Sequence, residues 1–561
     1  MCLKEIEEIT EMQQWQKSTV YQIYPRSFQD SNGDGIGDIN GIISRLDYLH
    51  DLGIELIWIT PMYVSPGNDN GYDIADYYQI DPIFGTMKDF ENLLKEAHKR
   101  NIKIIMDMVL NHTSNEHKWF KEAIKSKDNP YHDYYLFKDP VDGHEPNNWV
   151  SKFSGSAWEY VPSLNQYYLH LYDVTMPDLN WRNPKLRQDI FKMLTFWADK
   201  GIDGFRLDVI NNISKDKRMP NDTFETPTDD GRNFYTNGPH VHEYIHEMYR
   251  KVFGPNDFVT VGELSSTPIS EAVKYTNPKR QELSMAFTFH HVKVDYTNGK
   301  KWTLGNYKLT DLKSVISDWQ VKMHQNNGWN ALFWNNHDQP RAISRFLNDN
   351  KYRDESAKLL AIVQFGLQGT PYIYQGEEIA MKNSYFTDIK QYKDHESINA
   401  YHDLIKNGTD KGTAIKVLQQ KSRENARIPM QWNSSKNYGF TTGIPWLKAI
   451  KKDNYSVEAV RKSPNNIFEF YQRLIKLRKK NDTLIEGSYK LLDHDDNSVY
   501  SYVRSKGDNK VLIMANFTEE EQIRTIHSDY DLILGNYGDI DSNKNMVKLR
   551  PYEALMLEKS V

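Results

Sequence analysis

The chain has 561 residues, with 70 lysines and arginines against 76 aspartates and glutamates, a formal net charge of −6, which argues against nucleic acid as the main partner. Mean hydropathy is −0.72, and no apolar run approaches the ~20 residues needed to span a bilayer. One cysteine, Cys2, leaves no internal disulfide, and the charged start MCLKEIEEITEMQQWQ carries no signal-peptide core, so a cytoplasmic monomer without a membrane partner is expected.

Short apolar strands alternate with helical stretches along most of the chain. The first strand, VYQIYPRSF (20–28), runs into DSNGDGIGD (30–38). Oxygen-bearing side chains alternate through that loop. Asp30, Asn32, Asp34 and Asp38, with a carbonyl near Ile36, are the donor kind a hard cation takes. The loop starts like an EF-hand, but Gly41 stands where the closing Glu belongs, and no entering helix precedes it. A plain turn rich in Asx residues is the alternative reading.

The next strands are IELIWITP (54–61), KIIMDMVLNH (103–112), GIDGFRLDVI (201–210), FVTVGEL (258–264), LSMAFTF (283–289), ALFWNNHD (331–338) and PYIYQGEE (371–378). MKDFENLLKEAHKRN (87–101) and PKLRQDIFKMLTFWADKG (184–201) are the clearest amphipathic helices between them, the second ending on a glycine fit for a C-cap. Eight such units predict an α/β fold, a parallel (β/α)8 barrel over 14–111 and 181–487. Residues 112–180, rich in Tyr, Trp, Asn and Pro, read as an inserted subdomain, and 379–455 as a long polar insertion. Beyond about 488, SVYSYVRS, KVLIMANFT and DLILGNY predict a separate antiparallel β-sandwich over 488–561.

A barrel of this kind carries its chemistry at the C-terminal ends of the strands. There the sequence places Asp107, Asn111 and His112, then Arg206 and Asp208, then Glu263, then Asn335, Asn336, His337 and Asp338. A single strand-end carboxylate is more often a capping group than a catalyst. Three of them with two histidines and an arginine point to glycosidic-bond cleavage, which needs one acid for the leaving oxygen and one carboxylate for the oxocarbenium-like sugar. Arg206 and Asp208 are two apart on a strand and share a face. Asp208 is therefore the natural nucleophile, Glu263 the acid, and Asp338 a third carboxylate gripping sugar hydroxyls. A catalytic metal is disfavoured: the HVH (240–242) and HEYIH (242–246) stretches lie away from the strand ends that carry the three carboxylates.

The stretches DMVLNH (107–112), GFRLDVIN (204–211), VGEL (261–264) and NNHD (335–338) resemble, in order and spacing, those of the α-amylase superfamily of retaining α-glycoside hydrolases. The resemblance spans nearly the whole chain. It implies Asp208 as nucleophile, Glu263 as acid/base and Asp338 as transition-state stabiliser, with His112, Arg206 and His337 contacting the sugar in subsite −1. Asp69 and Tyr72 match the pair that holds the non-reducing glucose. Arg427, in SRENARIPMQW (422–432), matches an arginine that pairs with that aspartate and closes the pocket. Phe153 is similar to a pocket-wall phenylalanine.

Within the superfamily the chain is similar to the oligo-1,6-glucosidase group. DGRNFYTNGPHVHEYIHEM (230–248), VGELSSTPISEAVKYTNP (261–278) and FHHVKVDY (289–296) look like the phosphotrehalase versions. That implies hydrolysis of the phosphorylated disaccharide trehalose 6-phosphate, with isomaltose or panose α-1,6 links as the alternative. Val209 is similar to enzymes that avoid maltose-type links, while Met176 departs from the usual Gln. A 6-phosphate needs cations near the +1 sugar; Lys293 and His291 are the candidates, Lys217 and Arg218 weaker ones. The loop at 30–38 resembles a structural calcium site, with Asp30, Asn32, Asp34, Ile36 and Asp38 as ligands. No catalytic cofactor is implied. A non-catalytic amylase-like interaction protein is the remote alternative, disfavoured because all three carboxylates are present.

Overall fold

The computed structural model describes residues 12–226, 229–448, 454–526, 529–543 and 545–559; Cys2 and the charged stretch before Met12 lie outside them. Eight strands, β1 Val20–Ile23, β2 Leu56–Ile59, β3 Lys103–Val109, β4 Gly204–Asp208, β5 Val259–Glu263, β6 Met285–Phe287, β7 Ala331–Leu332 and β8 Thr370–Tyr374, lie where the apolar runs predict them. They pair in parallel in the order β6-β5-β4-β3-β2-β1-β8-β7. A parallel bridge from Ala286 to Asn330 brings β6 back to the start of β7 and closes the barrel.

Strand pleating sorts the side chains. Leu56 and Trp58 of β2 join Ile105, Val261, Met285, Phe287 and Tyr372 in the barrel interior. Ile57 and Ile59 face the opposite way, into the layer shared with the surrounding helices. On β4 the same alternation sends Phe205 and Leu207 outward and leaves Arg206 and Asp208 inside, at the end where apolar filling stops. The helix Met87–His98 starts on a reciprocal Thr86–Asp89 capping box and buries Phe90, Leu93, Leu94 and Ala97. Pro184–Asp199 starts with proline and ends two residues before Gly201, whose φ of +92° is open to glycine at no steric cost.

Residues between β3 and the helix at Pro184 fold over the barrel mouth. They carry a three-stranded antiparallel sheet, with Gln166–Leu169 between Phe137–Lys138 and Trp158–Val161. Its small core, including Trp149, Trp158, Leu169 and Leu171, is completed by Met219 and Tyr235 from the segment after β4. The long insertion after β8 holds the helices His395–Lys406 and Lys411–Lys421 and the short turn Arg423–Ala426.

The C-terminal unit pairs a five-stranded antiparallel sheet with a three-stranded one across a shared core that includes Val499, Leu512, Val547 and Leu557. Three of its strands contain the stretches legible in the sequence; Ser488–Leu492, Gln522–Thr525, Asp541–Asn543, Met546–Leu549 and Ala554–Lys559 are further ones. Tyr502 and the buried Arg504 bond the backbone carbonyls of Val363, Gly366, Leu484 and Gly487, which docks this unit on the barrel.

Candidate active site

Arg206 organises the mouth. Its Nη1 donates to Asp208 Oδ1 at 2.8 Å and to both oxygens of Asp107 at 2.9 and 3.1 Å, while Nη2 donates to Glu263 Oε2. Trp58 Nε1 and the Tyr72 hydroxyl also donate to Asp107 Oδ2, at 3.0 and 2.9 Å. One guanidinium thus serves three buried carboxyls. Burial pushes all three up: Asp107 to about 6, Asp208 to about 7 and Glu263 to about 8, with Arg206 opposing in each case. Asp208 and Asp338 add like-charge repulsion at Glu263. Of the three buried carboxyls, Glu263 is therefore the group that keeps a proton longest.

Asp338 behaves oppositely. Burial would raise it, but His337, Arg423 and Arg427 hold it well below the ordinary carboxylate range. Arg427 Nη2 and Arg423 Nη1 donate to its Oδ1 at 2.8 and 3.2 Å. His337 stacks on Tyr72, with ring centroids 5.3 Å apart and planes within 2°. Gln22 Nε2 donates to His337 Nδ1 at 2.8 Å, so the ring proton sits on Nε2, 2.8 Å from the Tyr72 hydroxyl and 3.1 Å from Asp338. Burial pushes His337 down to about 4, and the ring is neutral at pH 7.

The structure corrects the arginine assignment. Asp69 pairs with Arg423, whose Nη2 lies 2.7 Å from Asp69 Oδ1, not with Arg427. Arg427 is tied by Nε to the His337 carbonyl at 2.8 Å, which fixes its guanidinium on Asp338. Arg423 is also held by Asp394, through Nε at 3.0 Å and Nη2 at 2.7 Å, and sits 5.4 Å over the Phe153 ring. Phe153 in turn meets Tyr172 edge to face at 6.0 Å, and Tyr172 neighbours His112 at 5.4 Å. Asp69, Tyr72, His112, Phe153, Arg206, Asp208, Glu263, His337, Asp338 and Arg427 therefore line one site. Tyr172, Arg423 and Asp394 join it without having been singled out. Arg423 was within sight, one helical turn before Arg427 in the same motif; Tyr172 and Asp394 sit in loops that carry no local signal.

Lys293 lies just past β6. Burial, then the charges of Arg232 and Lys152, push its ammonium down to about 8, with Glu263 opposing and Lys301 adding to the fall. Lys152 Nζ and Arg232 Nη2 share Asp230, at 3.0 and 2.5 Å, and Lys301 pairs with Glu396 at 2.7 Å. Four cations against two carboxylates leave this corner positive, beside the acid. His291 is a different matter. Its Nε2 bonds the Phe333 carbonyl at 2.7 Å and burial pushes the ring down to about 4, so it brings no positive charge to a phosphate at pH 7 and has only Nδ1 left to offer. Lys217 is exposed, and Arg218 is exposed and paired with Asp216.

In the loop at 30–38 the acidic side chains serve their own backbone. Asp30 accepts the amides of Asn32, Gly33 and Gly35 and the Thr441 hydroxyl. Asp34 accepts from Ile36 N at 2.8 Å, and Asn32 Oδ1 from Asp34 N at 2.9 Å. Asp38 caps the helix Ile39–Ser44 through Gly41 N at 2.7 Å. Among the described residues no three His, Cys, Asp or Glu side chains form a group that could hold a metal ion. The donor set is the right kind for a hard cation, but each Asp30 oxygen already accepts two hydrogen bonds, as does Asp38 Oδ1, so an ion there would displace some of them.

Fold and carboxylate set together define a barrel glycoside hydrolase. The family model for the alpha amylase catalytic domain matches residues 22–487, and that for the alpha-amylase SusG C-terminal domain matches 499–556. The chain belongs to the alpha-amylase family. It is 51% identical over 553 residues to the trehalose-6-phosphate hydrolase of Bacillus subtilis (strain 168), covering 97% of each chain. It is 48% identical to the oligo-1,6-glucosidase of Parageobacillus thermoglucosidasius, over 96% of this chain and 98% of that one. The crystal structure of Bacillus licheniformis trehalose-6-phosphate hydrolase matches with a TM-score of 0.93 at 50% identity, covering 98% of this chain and 100% of that chain.

Proposed function

We propose that the protein hydrolyses trehalose 6-phosphate to glucose and glucose 6-phosphate by double displacement with retention. The terminal glucose occupies the pocket closed by Asp69 and Arg423. Asp208 attacks its anomeric carbon while Glu263 gives its proton to the leaving glycosyl oxygen. Water, deprotonated by Glu263, then releases glucose from Asp208. Asp208 and Glu263 are bound by the two ends of one guanidinium, that of Arg206, the close setting that suits a nucleophile and an acid/base acting on one anomeric carbon. Asp338, held ionised by two arginines, grips the sugar as charge develops.

The observation that carries the substrate is the positive corner of Lys293, Lys152, Arg232 and Lys301 beside Glu263. The acid meets the leaving group, so this corner faces the second sugar, where the 6-phosphate dianion sits. The similarity to trehalose-6-phosphate hydrolases supports the same reading. The second reading, an oligo-1,6-glucosidase, draws on relatives of nearly equal identity. Comparing kcat/KM for trehalose 6-phosphate and isomaltose on one preparation separates them. A strong preference for the phosphorylated sugar supports the first reading; a preference for isomaltose overturns the substrate and leaves the mechanism.

A calcium ion at Asp30, Asn32, Asp34, the Ile36 carbonyl and Asp38 is part of the proposal on the loop's donor chemistry, as a structural element remote from the reaction. So is a cytoplasmic location, which a phosphorylated substrate suits; among the described residues no helix is long and apolar enough to cross a membrane.

A further inference from the structure

At the seam between β3 and the inserted subdomain lies a buried chain of four polar residues. Lys215 Nζ sits 2.7 Å from Asp178 Oδ2 and donates to Asn111 Oδ1 at 2.6 Å. The Asn111 amide nitrogen donates to Asp178 Oδ2 at 3.0 Å and meets His112 Nδ1 at 3.1 Å. Lys215, Asp178, Asn111 and His112 are each no more than 3% exposed. His112 Nε2 is buried and has no hydrogen-bond partner among the described residues. Its ring lies 5.4 Å from that of Tyr172.

Charge dictates how this chain is wired. An asparagine amide can be turned either way, but here its oxygen faces an ammonium and its nitrogen a carboxylate. The reverse orientation would set Oδ1 against Asp178 and NH2 against Lys215, two repulsions in a buried site. The amide is therefore fixed with NH2 toward His112. A neutral imidazole facing an NH2 donor through Nδ1 must accept there and carry its proton on Nε2.

We infer that Lys215 is a positioning residue: through Asn111 it locks His112 in the tautomer that presents Nε2–H as a donor to the sugar. The inference rests on the glycosidase reading for the sugar, but not on which disaccharide is cleaved. Nε2 makes no hydrogen bond of good geometry, although the ring lies near the Tyr72 backbone, so a sugar oxygen can take it as a donor. Lys215 touches neither the sugar nor the reacting atoms.

The tautomer is readable without substrate. In full-length protein labelled with [15N]histidine, long-range 1H–15N correlation at pH 7 should show His112, identified by its loss in His112→Gln, with an unprotonated Nδ1 and a protonated Nε2. An Nδ1–H pattern overturns the inference outright. Lys215→Met should produce a tautomer mixture and at least a tenfold fall in kcat/KM. Should that variant not fold, Asn111→Ala removes the donor to Nδ1 while leaving the Lys215–Asp178 pair, and the same mixture is expected. An unchanged tautomer with wild-type kcat/KM in Asn111→Ala overturns the lock. Since each variant is compared with the wild type on whichever disaccharide the wild type cleaves, an error in the substrate reading does not affect the outcome.

Discussion

Arg206 Nη1 bonds Asp208 Oδ1 at 2.8 Å, and the two residues are neighbours on one face of a single strand. The guanidinium thereby favours the ionised form of the nucleophile against burial and against the charges of Asp107 and Asp338. Asp208→Asn keeps the shape and removes the nucleophile; turnover should fall by about 10⁶-fold, the scale of removing a nucleophile elsewhere. Circular dichroism should be unchanged. Substantial remaining hydrolysis by a homogeneous variant would refute the role.

The pH profile follows from the same cluster. The working form has Asp208 ionised and Glu263 protonated. Glu263 is pushed up to about 8, chiefly by burial, so kcat/KM should decline on an alkaline limb centred near that pH. The acid limb, where Asp208 takes up a proton, should lie above the ordinary carboxylate range. These limbs belong to the coupled set rather than to isolated residues. Glu263→Gln removes the alkaline limb along with most activity. An alkaline limb that survives in that variant would assign it to another group.

Eight strands and three carboxylates were legible because each leaves a local mark: a continuous apolar run, or a charged side chain at its end. Arg423 and Arg427 were not separable in the same way. Both stand in one motif, and only the bond from Arg427 Nε to the His337 carbonyl decides which of them reaches Asp69. His291 looked available for an anion because its bond to the Phe333 carbonyl, just past β7, is a tertiary contact with no local signal. Tyr172 and Asp394 arrive on loops placed by tertiary packing, which no periodicity reports.

Arg423 supplies a test of pocket closure. Its guanidinium joins Asp69, Asp338 and Asp394 and bonds neither Asp208 nor Glu263 among the described contacts. Arg423→Lys cannot bridge three carboxylates with one point charge. We expect KM to rise about tenfold or more, the scale of a lost charged hydrogen bond, with a smaller effect on kcat. A variant altered in kcat alone would move Arg423 from binding to the chemical step.

Lys293→Ala tests the phosphate corner. KM for trehalose 6-phosphate should rise far more than KM for isomaltose, because only the first substrate carries the dianion. Conversely, bound phosphate should lift the lysine back from about 8, so the apparent affinity of the phosphorylated substrate should weaken as pH passes that value. Equal effects on both sugars would return Lys293 to an ordinary loop residue.

Chelation tests the calcium proposal. An ion that binds only the folded chain stabilises it by mass action, so EDTA should lower Tm and added calcium restore it, with little change in kcat at low temperature. A metal-free preparation whose Tm ignores both would rule the ion out, leaving the loop organised by its own hydrogen bonds to Asp30, Asp34 and Asp38 and by the Thr441 hydroxyl.

A last prediction concerns Glu377, buried behind the mouth, where Asn335 Nδ2 and the Tyr471 hydroxyl donate to it at 2.7 and 3.0 Å. Burial lifts it from 4.5 to about 7, and those hydrogen bonds only partly oppose the shift. The folded state therefore holds this proton more tightly than the unfolded one. Its stabilising contribution is complete below pH 4.5 and is lost as pH rises through about 7. At about 1.4 kcal/mol per pKa unit the loss is on the order of 3 kcal/mol. Glu377→Gln mimics the protonated form and should abolish this component. Urea unfolding of both proteins at several pH values between 4.5 and 7 should show the variant gaining on the wild type as pH rises. Parallel curves would mean that Glu377 is ionised in the folded protein throughout that range.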